Sequence, residues 1–459
     1  MEHRCTECTR PGGLAAGLHV DEWAVVEPGR SRPAGYGVPM SRSRRRRSAA
    51  LCAAAAIAVT ACTGGTNDDP VAVVVTTTTE PPQPRVDDGV LLIGALIPAG
   101  DTSVAAALDQ ALETSIAAVN GEGGVLGNDV RLVIQDEGAT ATTAAQAIEA
   151  LVAANVDAII GPASSNSAIG SLDEAVDAGV VACSATASSI ALDDFPDDGL
   201  FFRSLASDSL QAVAIARRAE ETGASGIAVV HVDDAYGRPY ADATIDALDA
   251  IGNFVITRVS VPVGDDNLTN ELDDLAASGA QTAIVLGSGA DTVRFLEALA
   301  QREGIALNAI VVNDAARDAA VRPVIAGLPP VLRNRISGIA PQIVLQPTGS
   351  ESNVAADVPF ASQIADCVNL VALAAVQSGS DSPDLISNQM ASVSSGGSLC
   401  RSFGECAEQI DRGLQINYDG ATSVTELGRD GDPSRARFDQ FSFASDGSDE
   451  FQRSFVVQR

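Results

Sequence analysis

From residue 90 onward, short apolar runs alternate with stretches whose apolar positions recur at helical spacing. Residues 90–98 (VLLIGALIP) read as a buried strand, and Val104, Leu108, Leu112 and Ile116 then fall on one helical face. A glycine-rich turn at 121–127 leads to a strand over 131–135, a helix over 142–154 and a strand over 158–161. A helix over 166–178 and a strand over 180–183 follow. After a break at 201–209, helices are predicted over 209–222, 240–251, 268–278 and 291–302, with strands over 226–232, 254–261, 282–286 and 309–312. Continuous apolar strands separated by helices predict parallel sheets covered on both faces, an α/β fold. Roughly 220 residues of this pattern exceed one open sheet of ordinary size, so two Rossmann-like lobes are the natural partition.

Upstream, residues 40–62 read MSRSRRRRSAALCAAAAIAVTAC. A basic stretch at 42–47 precedes an apolar stretch at 48–61, shorter than the roughly 20 residues that span a bilayer and of the length of a secretory signal. The end, Val59-Thr60-Ala61-Cys62, resembles the lipobox of bacterial lipoproteins, in which the cysteine is acylated; Cys62 is the expected lipid-bearing residue. Residues 1–39 then read as an extension ahead of the true start at Met40. The segment 62–88, rich in threonine and proline, reads as an extended tether.

Charge narrows the chemistry. All 29 basic residues of the 459-residue chain are arginines, against 60 acids. Nine of the arginines and five of the acids precede Cys62, which leaves 20 against 55 and a net charge of −35 on the remainder. Such a surface repels phosphate backbones, so no nucleic-acid partner is expected. His231 is the one histidine after Cys62 and there is no lysine, so no multi-histidine metal site, Schiff base or P-loop is available, and no cofactor is expected. The turn GEGGVLG (121–127) follows a helix and precedes a strand, the reverse of a dinucleotide fingerprint.

Ligands of doubly wound sheets bind at the carboxyl ends of strands. Three such ends are polar: Gly161-Pro162-Ala163-Ser164-Ser165-Asn166-Ser167, the stretch 184–189 (SATASS) and Asp233-Asp234-Ala235-Tyr236-Gly237. The first could cradle an anion with its amides and the Ser165 hydroxyl, or Ser165 could simply cap the helix. Asn313-Asp314 follows the strand 309–312, where the Asp314 carboxylate could meet an amine or cap a turn.

At this point the chain resembles the type I periplasmic binding proteins, in particular their branched-chain amino-acid branch. The matching stretches are IGALIPAG, AAVNGEGGVLGNDVRLVIQDEG, IIGPASSNSA, GVVACSATASSIAL, FFRSLASDSLQA, VVHVDDAYG and YDGATSVTELGRDGD, in family order. The resemblance implies two lobes joined by a multi-strand hinge, 89–206 with 341–432 and 207–340 with 433–459. It implies a lipoprotein on the cell surface that captures a small solute and delivers it to an ABC permease. By position, Ser165 would bind a ligand carboxylate, Thr186 and Ser188 its carboxylate and amino group, Tyr236 would pack on it after closure, and Asp314 would hold the α-ammonium. The family's first-loop aromatic is replaced by Val104 or its neighbours, its second-lobe tyrosine by Ser288-Gly289, and one position of its small disulfide by Ser164. The expected ligand is thus a branched-chain or related amino acid, with an amide, urea or organic acid as the alternative; a lipoprotein that reports the ligand to a receptor is the alternative to an importer component.

Cys400 and Cys406, six apart, read as a surface-loop disulfide in an oxidising compartment, while Cys183 and Cys367 read as buried small hydrophobes whose pairing stays open. A secreted serine hydrolase is the rival: Ser165 opens a helix after a strand, but G-x-S-x-G is not met and His231 lies inside an apolar strand.

Overall fold

The computed structural model describes residues 87–99, 103–223, 226–342, 360–420, 422 and 426–458. The extension, the signal segment, Cys62, the tether up to residue 86 and the Val104 side chain lie outside the described residues. Among the described residues, no helix is long and apolar enough to cross a membrane.

The first sheet contains β1 (Leu92–Ile97), β2 (Arg131–Asp136), β3 (Ala158–Ile160), β4 (Val181–Ser184) and β5 (Phe201–Arg203). Its order is β2-β1-β3-β4-β5 and every pairing is parallel. Strands added to either side of β1 by parallel pairing need crossovers, and these place helices on both faces. Ile93, Ala95 and Ile97 share one core with Leu108 and Leu112 of the helix Ser103–Gly121. Leu96 and Ile159 share the other with Ile148 and Leu151 of the helix Ala141–Ala153. A late helix, Ala361–Ser378, returns to this lobe and is buried along most of its length. Alanines allow it to lie close under the strands.

The second sheet contains β6 (Ile227–Val232), β7 (Val255–Val261), β8 (Thr282–Leu286), β9 (Ala309–Val312) and β10 (Ile336–Pro341). After the short parallel pair β11 (Ser398–Cys400) and β12 (Ile416–Tyr418), the hairpin β13 (Arg435–Phe443) and β14 (Asp449–Gln458) completes it. The order is β14-β13-β10-β9-β8-β6-β7; β13 runs antiparallel to β10, so this sheet is mixed rather than wholly parallel. A hairpin needs only a tight turn, here at 444–448, where a further parallel strand would need another crossover.

The helix expected over 166–178 is two helices, Ser165–Ile169 and Leu172–Asp177. Gly170 separates them because a Cβ there would come within 2.5 Å of the Ala141 Cβ, so the chain passes too close to the next helix for any side chain. Ser171 Oγ donates to Ser167 O at 2.7 Å, a side-chain bond that favours ending the helix.

The cysteines require a correction. Cys183 and Cys367 are buried as expected, but they are one disulfide, Cα–Cα 5.7 Å, that staples β4 to the helix Ala361–Ser378 across 184 residues. Cys400 and Cys406 are bonded too, with Cα–Cα 5.3 Å, and are fully buried rather than in a surface loop.

Loop-closure entropy scales with the logarithm of loop length, so the 184-residue loop should stabilise the fold by about 3 kcal/mol more than the six-residue loop. Urea unfolding of Cys183→Ala/Cys367→Ala and of Cys400→Ala/Cys406→Ala should differ in that direction; equal losses would refute the staple.

Candidate functional site

The crossing between the lobes is held by Arg203, at the end of β5. Its side chain has no exposure, yet it pairs with Asp193 at 2.7 Å and with Asp432, to which Nε donates at 2.5 Å. It also donates to Ser189 O at 2.9 Å. A single guanidinium thus fixes the loop after β4 and two chain segments that run between the lobes.

That loop carries the first group of candidate residues. Thr186 Oγ1 donates to Ala163 O at 2.6 Å and Ser184 Oγ to Pro162 O at 2.7 Å, which bind the ends of β3 and β4 together. Ser165 does not cap its helix. Ser164 does, accepting from Ser167 N at 3.5 Å, while Ser165 Oγ accepts from Ser189 N at 3.2 Å. The amides expected to cradle a ligand anion are partly committed: Ala163 N and Ser164 N donate to Glu137 Oε2 and Oε1 at 2.8 and 2.9 Å. Glu137 is 1% exposed, and burial raises its carboxyl above the usual range against the pull of Ser167 and these amides.

The second lobe supplies the opposing wall. Asp234 Oδ1 accepts from Tyr236 N and Gly237 N at 3.0 and 2.7 Å, so the helix Gly237–Ala250 begins three residues before the sequence pattern implies. This sets Tyr236 at its mouth, edge-on to Tyr240 with ring centroids 5.8 Å apart. Tyr236 OH accepts from Asn313 Nδ2 at 3.3 Å, and that nitrogen also donates to Gly287 O at 3.0 Å. Next to it, Asp314 Oδ1 accepts from Gln211 Nε2 at 3.0 Å. Gln211 is anchored on Ile339 O at 2.8 Å.

Between the walls lies Asp208, first residue of the helix Asp208–Glu220 and 1% exposed. Ser188 Oγ donates to its Oδ2 at 3.0 Å. Burial, then the charge of Asp314, raises its carboxyl well above the usual range; burial likewise raises Asp314. Burial first and then the Asp208 charge raise the phenols of Tyr236 and Tyr240. Asn166 Nδ2 donates across to Asp234 Oδ2 at 3.3 Å, and Ile190 of the first lobe packs on the second lobe's core. The lobes are closed on each other.

The structure therefore brings Ser188, Tyr236 and Asp314 into one cluster and places Thr186 and Ser165 in the loop layer behind Ser188. Glu137, Asp208, Gln211 and Asn313 were not singled out from the sequence as polar partners of this cluster. Asp208 and Gln211 lie in FFRSLASDSLQA, but an acid at a helix start reads first as a partner of the helix dipole. At Ser288-Gly289, Ser288 and Asp291 form a reciprocal helix cap, and a Cβ on Gly289 would meet Asp318 within 2.9 Å. His231 is 2% exposed; its Nδ1 bonds Val232 O at 2.8 Å and Arg258 Nε donates to its Nε2 at 2.8 Å, so it is occupied structurally.

Three comparisons bear on this geometry. A model of the periplasmic binding protein family matches residues 93–324, half of the chain. A chemotactic signal transduction system substrate-binding protein, BasB of Halobacterium salinarum, is 27% identical over 349 residues, which cover 73% of this chain and 83% of that protein. The branched-chain amino acid transporter substrate-binding protein LivJ of Streptococcus pneumoniae, solved with isoleucine, superposes with a TM-score of 0.63 at 18% identity, covering 81% of this chain and all of that one. A solute-binding protein of R. palustris solved with benzoate gives 0.62 at 16% identity, covering 81% and 98%.

Glu137, Asp208 and Asp314 all bind protons more tightly folded than unfolded. Their contribution to stability is full below about pH 4 and is lost as pH rises through the raised values. Urea unfolding of the ligand-free chain between pH 4 and 8 should show this decline, and Glu137→Gln should shrink it. An unchanged profile in that variant would count against the assignment.

Proposed function

We propose that this chain, which belongs to the periplasmic binding protein family, is an extracytoplasmic, lipid-anchored solute-binding protein that closes on an amino acid or similar amine-bearing solute. The carrying observation is the convergence of Ser188 from one lobe with Tyr236, Asp208 and Asp314 from the other, hydrogen-bonded or within charge range of each other across the closed junction. A ligand held there contacts both lobes, so its binding energy favours closure. Asp314 takes the ammonium, where a charge-assisted hydrogen bond in a dry site is strongest. Ser188 faces the carboxylate, Thr186 and Ser165 hold the loop that presents it, and Tyr236 covers the ligand as the lobes meet. Cys62 carries the lipid and the tether lets the closed form reach an ABC permease.

The fold does not choose the ligand, since related architectures hold isoleucine in one case and benzoate in another. The amine reading rests on the carboxylates. A second reading, reporting the bound solute to a chemotaxis receptor rather than feeding a permease, is favoured by the similarity to BasB. It uses the same cleft, and co-purification of either membrane partner separates the two.

A panel of amino acids tested by differential scanning fluorimetry should yield at least one that, at 100-fold excess over Kd, stabilises the chain by about 2.7 kcal/mol. A panel without any shift would refute the amine-bearing class. Asp314→Ala should weaken that ligand about 10- to 100-fold by calorimetry, while changing the affinity of its des-amino analogue little. Equal losses for both would remove the ammonium role.

A further inference from the structure

The chain passes between the two sheets after β5, after β10 and before β13. All three passages wall one recess: residues 204–206 from the first, Pro341 and Gln342 from the second, Thr422 and Pro433 from the third. Gln363, at the start of the helix Ala361–Ser378, and Arg437 of β13 complete the wall. The recess has a volume of about 20 Å³, room for one water-sized occupant.

Most polar groups on this wall are committed. Ser204 Oγ donates to Gln363 O at 2.8 Å, and Thr422 Oγ1 donates to Asp366 Oδ2 at 2.6 Å. Gln342 Nε2 donates to Ser454 Oγ at 2.8 Å and to Asp439 Oδ1 at 3.1 Å. Two groups are left over. Gln363 is 4% exposed, yet its side-chain amide meets no hydrogen-bond partner among the described residues. Arg437 makes no ion pair or side-chain hydrogen bond among them either, and its Nε is buried. The two acids within its charge range are engaged elsewhere, Asp439 by Gln342 and Ser454 and Asp419 by Arg401 at 4.0 Å. The helix that carries Gln363 begins without a side-chain cap, so its positive dipole end adds to the field of the guanidinium.

We propose that this recess is a binding site for one small monovalent anion, chloride by size, held by the Arg437 guanidinium and the Gln363 amide. A guanidinium carries only donors and a permanent positive charge, and the Gln363 NH2 adds two more donors. A water would accept their hydrogen bonds but leave the charge uncompensated, whereas a halide answers both. Sulfate, phosphate and carboxylates exceed the volume. Because the recess is walled by all three passages, its occupant ties the hinge in the closed arrangement. The recess shares no lining residue with the cluster of Ser188, Tyr236 and Asp314, and the inference does not rest on the amine-binding reading.

The test is thermal unfolding of the full chain at pH 7 as sodium gluconate is replaced by sodium chloride at constant ionic strength. The expected result is a saturable rise in Tm with chloride that bromide reproduces, while sulfate gives at most a rise that does not saturate. Arg437→Gln, and Gln363→Glu, which puts a carboxylate where the anion would sit, should each need at least about tenfold more chloride for half of the shift. A Tm that does not distinguish chloride from gluconate, that saturates equally in sulfate, or whose chloride dependence survives Arg437→Gln would overturn the inference. Should the variants fail to fold, crystals of the unsubstituted chain grown in bromide provide the second measurement. Anomalous density between Arg437 and Gln363 is expected, and its absence there would equally overturn the site.

Discussion

The buried guanidinium of Arg203 is the constraint from which the rest of the cleft follows. It is charged at every accessible pH and has no exposure, so it is tolerated only because Asp193, Asp432 and two backbone carbonyls meet its donors. These partners come from the loop after β4 and from the segment just before β13, which are distant in sequence. Gly431, next to Asp432, accepts from Arg203 N at 3.0 Å, and its positive φ of 76° lets the chain pass within contact of Phe201 O, where a Cβ would not fit. Breaking one partner would leave an uncompensated charge in the interior. The hinge and the candidate ligand loop are therefore held to the same point.

From that point the acids acquire their meaning. Ser207 Oγ donates to Asp193 at 2.6 Å, which sets the start of the helix that carries Asp208 and Gln211. Gln211 then positions Asp314 by a single amide hydrogen bond while staying anchored on Ile339 O. Two carboxylates brought together in a water-poor junction repel each other and favour proton uptake or a cation. The first lobe opposes them with hydroxyls already bonded within the protein.

Much of the α/β plan was legible because it depends on local periodicity. Apolar runs at 90–98, 226–232 and 309–312 became β1, β6 and β9 within a residue or two at most ends, since a buried parallel strand must be apolar on both faces. The strand-end loops were legible for the same reason, and Ser188, Tyr236 and Asp314 do meet. Boundaries failed where a contact from elsewhere intervened, as at Gly170, which yields to Ala141. The Arg203 latch, and Glu137 as occupant of the loop amides, were not legible. Each is an ordinary residue locally and becomes special through partners that the local pattern does not reveal, 26 positions away for Glu137 and as far as 229 for Arg203.

The sequence by itself determined the lobed α/β plan, the polar strand ends and the chemistry that lysine and histidine scarcity removes, because periodicity and composition are local or additive properties. The tertiary structure alone decided that Cys183 pairs with Cys367, that Glu137 fills an amide nest and that Asp208 joins Asp314. Those outcomes depend on which side chains lose water together, and loss of water is a property of the packed chain.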